Sequence, residues 1–140
     1  MSDEVGEKLL TDERTTNMRP HEKLKLWKKA IDFVVRLYAL TNSFPKEEKF
    51  GLTSQLRRAA VSVPANIAEG AGRQSDKEFL YFLSNAQGSA SELATELLIA
   101  RRLGYLTRRE FAEANEELDH IGRMIVGLAQ SVKIRVGDRR

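Results

Sequence analysis

The pair Glu117 and His120 is the closest that this sequence comes to a metal or catalytic site. Their spacing matches half of the Glu-x-x-His pattern that holds di-iron centres in helical bundles. A complete centre needs a second copy of the pattern and two further inward carboxylates, whereas the chain has only two histidines. Both residues also fall beside the apolar seam of their predicted helix rather than on it. We therefore expect no metal at this pair, which should face solvent.

Two further patterns bear on catalysis or phosphate binding. Gly70 and Gly72 precede Arg73, and a phosphate could bind at the helix start that follows them. No strand precedes these glycines, as nucleotide-binding motifs require, and a helix C-cap with a turn is the alternative. No Ser–His–Asp or Cys–His set is available for nucleophilic catalysis. We therefore expect a protein that is not an enzyme and needs no cofactor.

Glu92 and Glu96 are four residues apart and could act as paired acids, but a structural role suits them better. A turn near residue 75 would pair the flanking helices so that contacting residue numbers sum to about 150. In this register Ser62 faces Gly88, which allows two helices to approach closely, and Arg58 faces Glu92, which allows a bidentate ion pair. The predicted ion pair joins one arginine and one glutamate of this set: Arg57, Arg58, Glu92 and Glu96.

Basic residues are the remaining candidates for function, and they are unevenly distributed. Residues 21–74 hold ten bases and five acids, whereas residues 75–132 hold six bases and nine acids, within a chain of net charge +3. This asymmetry indicates a basic face for an anionic partner or a charge-matched self-contact, although lysines and arginines on helices often only face solvent. No recognition-helix turn, zinc finger or aromatic platform for single strands is present, so sequence-specific readout is not indicated. The candidate nucleic-acid-binding residues are Lys25, Lys28, Lys29, Arg36, Arg57, Arg58 and Arg73.

The hydrophobic pattern predicts the elements that must position these side chains. Four amphipathic helices are expected, and the short turns between them predict an all-α, antiparallel up-down-up-down four-helix bundle. Capping boxes at Ser75 and Thr107 start the third and fourth helices. The bundle is expected to span residues 21–132, between a flexible N-terminal tail, 1–20, and a basic C-terminal tail, 133–140.

The second predicted helix has an apolar stripe that begins at Phe50, and it carries a proline in its middle and glycine at its end. Pro64 should kink this helix, because proline removes one backbone hydrogen bond; two short helices are the alternative. Ser62 and Asn66 lie close enough to satisfy the freed backbone groups. Together with Glu92 of the third helix, the residues given a structural role here are Ser62, Pro64, Asn66, Glu69 and Gly70.

The first predicted helix has more apolar width than one seam needs. Its main apolar stripe is expected to be Leu24, Trp27, Ile31, Val34 or Val35, and Tyr38. Trp27 should lie in the core or at a subunit interface. Leu26 and Leu37 fall away from this stripe and would be exposed in a monomer. We therefore expect a homo-oligomer.

The composition of the chain indicates the cellular compartment to expect. No run of 18 apolar residues is present, so no membrane span is expected, and the acidic N-terminus lacks the apolar core of a secretory signal. The absence of cysteine excludes disulfides and fits a cytoplasmic protein.

The segment SVPANIAEGAGR, with FPKEEKFGLTSQLRRAA before it and FLYFLSNAQGSASEL and LGYL after it, resembles the bacterial four-helix-bundle proteins encoded in intervening sequences of the 23S rRNA gene. The resemblance runs from about Leu26 to Ile125. It implies a homo-oligomeric bundle, pentameric in known relatives. The accessory protein of diversity-generating retroelements looks like a more distant relative, which implies partners such as RNA and a reverse transcriptase.

These observations favour a protein that binds RNA, or another nucleic acid, through a basic face with low sequence specificity. The alternative is a structural scaffold or accessory protein for a protein partner such as a reverse transcriptase.

Overall fold

The computed structural model describes residues 18–138, and this part of the chain is all-α, with four long helices and no strand. The helices are α1 (Lys25–Thr41), α2 (Leu52–Ala71), α3 (Asp76–Arg102) and α4 (Arg108–Asp138). Short 3-10 helices at Pro20–Lys23 and Lys46–Glu48 precede α1 and α2. Most of the predicted N-terminal tail lies outside the described residues. Between residues 18 and 138, no helix has both the length and the apolar character needed to cross a bilayer.

The α4 helix is longer than the sequence analysis indicated. It continues through residue 138, although residues 133–140 were expected to form a separate basic tail. The helix persists because Val132 is fully buried and Val136 repeats the same position one turn later. The guanidinium of Arg135 also pairs with the carboxylate of Asp76 at 3.3 Å, which connects this end of α4 to the start of α3.

The buried face of α1 differs from the expected one. Leu26 and Leu37, which we expected to be exposed, are only 3% and 1% exposed and pack in the core with Phe33. The helix has apolar residues on two faces, so the hydrophobic period alone does not identify the inner one. The face with Phe33 is buried, whereas Val35 on the opposite face is 67% exposed. Trp27 packs against the core and is half-buried.

The α2 helix passes through Pro64 as one continuous helix rather than as two short ones. The side-chain nitrogen of Asn66 donates to the carbonyl of Ser62 at 2.9 Å and to the Ser62 hydroxyl at 3.0 Å. Asn66 therefore adds hydrogen bonds in the turn that contains the proline. The kink at Pro64 stays a prediction.

Two contacts define how α2 meets α3. The hydroxyls of Ser62 and Ser89 are 2.7 Å apart, one residue from the expected pairing of Ser62 with Gly88. Gly88 has no atom close to the place of a β-carbon, so it does not provide the close approach. Gly70 does: it is buried against Phe79 and Phe82. Glycine is needed there because a side chain would collide with α3.

Candidate nucleic-acid interface

The structure does not unite the seven candidate bases on one surface, and two of its surfaces are opposite flanks of α1. Arg36 donates to Glu113 at 2.7 Å and also to Glu117, so it faces α4. Tyr38, two residues further along α1, is contacted by Arg57 from α2. Residues two apart on a helix point about 200° apart. The side of α1 near α4 and the side near α2 are therefore separate surfaces.

The flank near α4 is charge-balanced. Glu113 accepts hydrogen bonds from Arg109 and Arg36, which hold the pKa of its carboxyl below the ordinary value. Lys29 borders a cleft of about 300 Å³ together with Asp32, Glu117 and the exposed His120. Acids of α4 therefore offset bases of α1 within one chain. The charge asymmetry along the sequence is here a charge-matched contact.

Arg57 is committed to the end of α1. Its Nε donates to the hydroxyl of Thr41 at 2.9 Å, and its Nη2 lies 3.2 Å from the Asn42 side-chain oxygen and 3.4 Å from the carbonyl of Tyr38. Its guanidinium also stacks over the Tyr38 ring at 4.5 Å. A cation at a helix C-terminus is stabilising because the last carbonyls there carry partial negative charge. Arg57 therefore joins α2 to α1.

The predicted ion pair between α2 and α3 is wrong. Arg58 and Glu92 are both exposed, and among the described residues neither takes part in an ion pair. Glu96 is only 7% exposed, and its Oε1 has no hydrogen-bond partner in the part of the chain that the structure describes. Burial, and secondarily the charge of Glu92, raises the pKa of Glu96 to about 7. The predicted register of α2 against α3 was within one residue. However, α2 is rotated about its axis so that Arg57 and Arg58 line the groove between α1 and α2 instead of facing α3.

Arg73 sits at the other end of α2 and is also occupied. It pairs with Glu69, four residues earlier, at 3.1 Å, and its guanidinium lies 5.0 Å from the centre of the Phe82 ring. The amide of Gly72 donates to the carbonyl of Ala68 at 3.1 Å. The Gly70–Gly72 segment is thus the C-cap and turn that the sequence analysis gave as the alternative to a phosphate site.

A groove between α1 and the start of α2 collects bases. Its volume is about 460 Å³, and none of the described residues that line it is acidic. Phe50 stands at its edge with 91% of its surface exposed, and the Lys49 ammonium lies 5.5 Å from the centre of that ring. Arg58 borders the same groove and is exposed. We call this surface the α1–α2 groove; its lining residues are Tyr38, Lys49, Phe50, Thr53, Ser54, Arg57, Arg58 and Val61.

The nearest acid along the chain is turned away from the α1–α2 groove. Glu48 precedes Lys49, but its Oε1 accepts from the amide of Leu52 at 3.1 Å and its Oε2 accepts from the hydroxyl of Tyr105 at 2.9 Å. Both of its carboxylate oxygens are therefore hydrogen-bonded, one to the start of α2 and the other to the loop before α4. The groove keeps a positive lining.

Sequence reasoning missed Lys49 and Phe50 as surface residues. Phe50 was assigned to the apolar stripe of the second helix, but that helix begins only at Leu52 and the ring stays in solvent. Phe50 and Tyr38 both line the groove, so two aromatic rings lie beside bases where the sequence analysis expected no aromatic platform. The sequence signal that could have shown this is Lys-Phe-Gly directly before the helix start. An apolar residue at that place is outside the helix and does not belong to its apolar stripe.

The three lysines of α1 lie away from the groove. Lys25, Lys28 and Lys29 are exposed in the N-terminal half of the helix. Lys28 is ten residues before Tyr38, which corresponds to about 15 Å along the axis. These lysines can extend a basic surface but do not line the groove itself.

Comparison with known proteins agrees with this fold. The chain is similar to a protein of unknown function from the S23 ribosomal protein family of Bacteroides thetaiotaomicron VPI-5482, with a TM-score of 0.70 and 26% sequence identity. The match covers 74% of this chain and 97% of that one, whose crystal structure was determined at 1.70 Å resolution. None of the curated proteins matches the chain. The model of the 23S rRNA-intervening sequence protein family matches residues 22–127. The chain therefore belongs to the 23S rRNA-intervening sequence protein family.

Proposed function

We propose that this protein is a non-enzymatic homo-oligomer that binds RNA, or another nucleic acid, with low sequence specificity. The observation that carries the proposal is the α1–α2 groove, whose lining contains Lys49, Arg57 and Arg58 and, within residues 18–138, no acid. Most other arginines near α1 and α2 are paired with carboxylates, as Arg36 and Arg73 are. Bases left unpaired in a concave surface attract an anion.

The two exposed bases of the groove would contact phosphates. Arg58 and Lys49 have charged groups in solvent, whereas Arg57 is held by the end of α1. Phosphate contacts position a nucleic acid without reading its bases, so affinity should be similar for different sequences. Lys25 and Lys28 would add weaker contacts further along α1.

The oligomer would form through the outer apolar stripe of α1, which adjoins the α1–α2 groove at Tyr38. Ile31 and Val35 share one side of this helix and are 36% and 67% exposed. An apolar stripe in solvent favours contact with another subunit. An oligomer would present the α1–α2 groove several times, so weak phosphate contacts would add through multivalency.

We also infer the finer arrangement of the helices, an antiparallel up-down-up-down bundle with a kink at Pro64. Its support is that Ser62 meets Ser89 whereas Gly70, later in α2, meets Phe82, earlier in α3. An experimental structure with parallel α2 and α3, or with a straight α2, would contradict it.

The test is fluorescence anisotropy with an unstructured RNA at low and at moderate salt. Affinity should fall steeply with salt, with a slope of about 0.7 per phosphate contact on a single strand. Reversing the charge of Lys49 and Arg58 together should weaken binding and reduce the slope by about 1.4. The matched control is Lys77→Glu, because Lys77 is exposed at the start of α3, near the opposite end of α2.

Absence of RNA binding by the intact protein at low salt would contradict the proposal. The exposed α1 stripe would then favour the second candidate, a scaffold for a protein partner such as a reverse transcriptase.

A further inference from the structure

We infer that the α1–α2 groove is specific for single-stranded RNA, because it stacks an unpaired base on Phe50 while Arg58 and Lys49 hold the adjoining phosphates. This inference rests on the proposed function and names the form of nucleic acid that the groove takes. It concerns the strand state and not the base sequence.

Packing of the helices does not explain the exposed position of Phe50. The residue lies between the 3-10 helix Lys46–Glu48 and the start of α2, and 91% of its surface is exposed. The buried core does not include it. Among the described residues its ring lies beside the ammonium of the neighbouring Lys49, which is 5.5 Å from the ring centre. A phenyl ring held in solvent beside two bases is a stacking surface with phosphate ligands next to it.

Tyr38 provides a second ring that is already fixed in place. The Arg57 guanidinium stacks over it at 4.5 Å, and the same guanidinium is tied to Thr41 at 2.9 Å. The Tyr38 ring nevertheless remains 41% exposed and lines the groove with Phe50. The groove volume of about 460 Å³ lies within the range of small-ligand sites, roughly 300–1,000 Å³, so a nucleobase can enter it.

The chemistry of the lining favours a nucleotide over a polypeptide. The groove offers two aromatic rings, the hydroxyls of Thr53 and Ser54, and basic side chains without a counter-charge. A nucleotide supplies a flat π-face, hydrogen-bonding edges and an anion in one unit. A second copy of this chain docking on Phe50 is the competing occupant, and the test separates the two.

The preference for single strands follows from whether the Phe50 ring can contact the face of a base. In a duplex each base is stacked between its neighbours, so its face is not available to Phe50, and only phosphates can be contacted. In a single strand the face is free, and every base has one, which makes the contact tolerant of sequence. Phe50 should therefore contribute to single-strand binding and not to duplex binding.

The experiment compares Phe50→Ala with wild type on a single-stranded RNA and on a duplex of the same length. The single strand should bind roughly 5- to 150-fold more weakly, the range for loss of one stacked base, and the duplex should bind as before. Phe50→Tyr should restore single-strand binding, whereas Phe50→Leu should not, since leucine keeps the apolar surface without the ring.

Two results would overturn the inference. If Phe50→Ala changes neither affinity, or both equally, while reversal at Lys49 and Arg58 still weakens binding, the proposed function stands and the stacking role falls. If Phe50→Ala instead reduces the mass of the assembly in light scattering, the ring belongs to a subunit contact. Failure of the proposed function itself is distinct, because wild type would then bind neither RNA at low salt. Far-ultraviolet circular dichroism of each variant checks that the fold is intact.

Discussion

A β-carbon added to Gly70 would lie 2.7 Å from the β-carbon of Phe82, closer than such atoms approach in folded proteins. The Phe82 atom is next to the backbone and cannot swing aside, so α2 and α3 would have to separate. We expect Gly70→Ala to lower the free energy of unfolding by about 1–3 kcal/mol through overpacking. Urea denaturation measures this.

The matched control for Gly70 is Gly88→Ala on α3. Gly88 has open space around the place of its β-carbon, so alanine should be neutral or should stabilise by up to about 1 kcal/mol. Equal effects of the two substitutions would contradict the close approach at Gly70.

Glu96 should make stability fall as pH rises. Its folded-state pKa of about 7 exceeds the ordinary value of 4.5, so between these values the unfolded chain has already released the proton that the folded protein still holds. The free energy of unfolding should therefore decrease from about pH 5 to about pH 7, by about 2 kcal/mol, and level off above. The pKa of Glu113 is lowered, so its ionisation changes the free energy of unfolding only below the ordinary pKa of a glutamate, outside this pH range.

Glu96→Gln should remove this part of the pH dependence, because glutamine keeps the shape and does not ionise. Urea denaturation of both proteins at about pH 5 and about pH 8 makes the comparison. A variant with the same pH dependence as wild type would show that Glu96 ionises normally.

Arg57→Ala should destabilise the protein by about 1–2 kcal/mol, since Thr41 and the end of α1 lose their donor. Arg57→Lys should recover little of this, because an ammonium cannot reproduce the planar fork or its stacking on Tyr38. Arg58→Ala is the control: its side chain is exposed, so the change should stay within about 0.5 kcal/mol. Thermal unfolding of the three variants tests the contrast.

Val35→Glu should dissociate the oligomer without unfolding its helices. Val35 is 67% exposed on the outer stripe of α1, where a carboxylate costs nothing in a monomer and cannot be buried in a dry interface. Light scattering at micromolar concentration should show a smaller mass for this variant. Val126→Glu, at a 45% exposed position on α4, should leave the mass unchanged. A monomeric wild type would contradict the proposed assembly directly.

Local signals predicted the elements well. The Ser75 and Thr107 hydroxyls accept from the amides of Glu78 at 3.1 Å and Glu110 at 3.0 Å, as predicted. The capping box is complete at Thr107, whose amide donates to Glu110 at 2.9 Å, whereas Glu78 accepts from the Ser75 hydroxyl at 3.2 Å instead of from its amide. These interactions span three residues, so the sequence contains all that they need. The all-α class and the four helices followed from the same short-range patterns.

Features that depend on rotation about a helix axis were not predictable. The inner face of α1 was misassigned because both of its faces carry apolar residues, and only contact with α2 and α4 decides between them. Arg58 missed Glu92 for a similar reason, since a register fixes position along the axis and not direction around it. Phe50 was misplaced because helix ends are uncertain by one or two residues, which is enough to move a ring from core to solvent.

The bond between the Tyr105 hydroxyl and Glu48 ties the loop before α4 to the turn that presents Lys49 and Phe50. Tyr105 also packs against the ring of Phe44 at 5.3 Å, on the other end of that turn. A ligand at the groove would thus bind beside a turn that is already ordered. Its binding would not carry the entropic cost of ordering that turn. If the groove binds a single strand as proposed, its affinity would be coupled to Tyr105, more than fifty residues away in the chain.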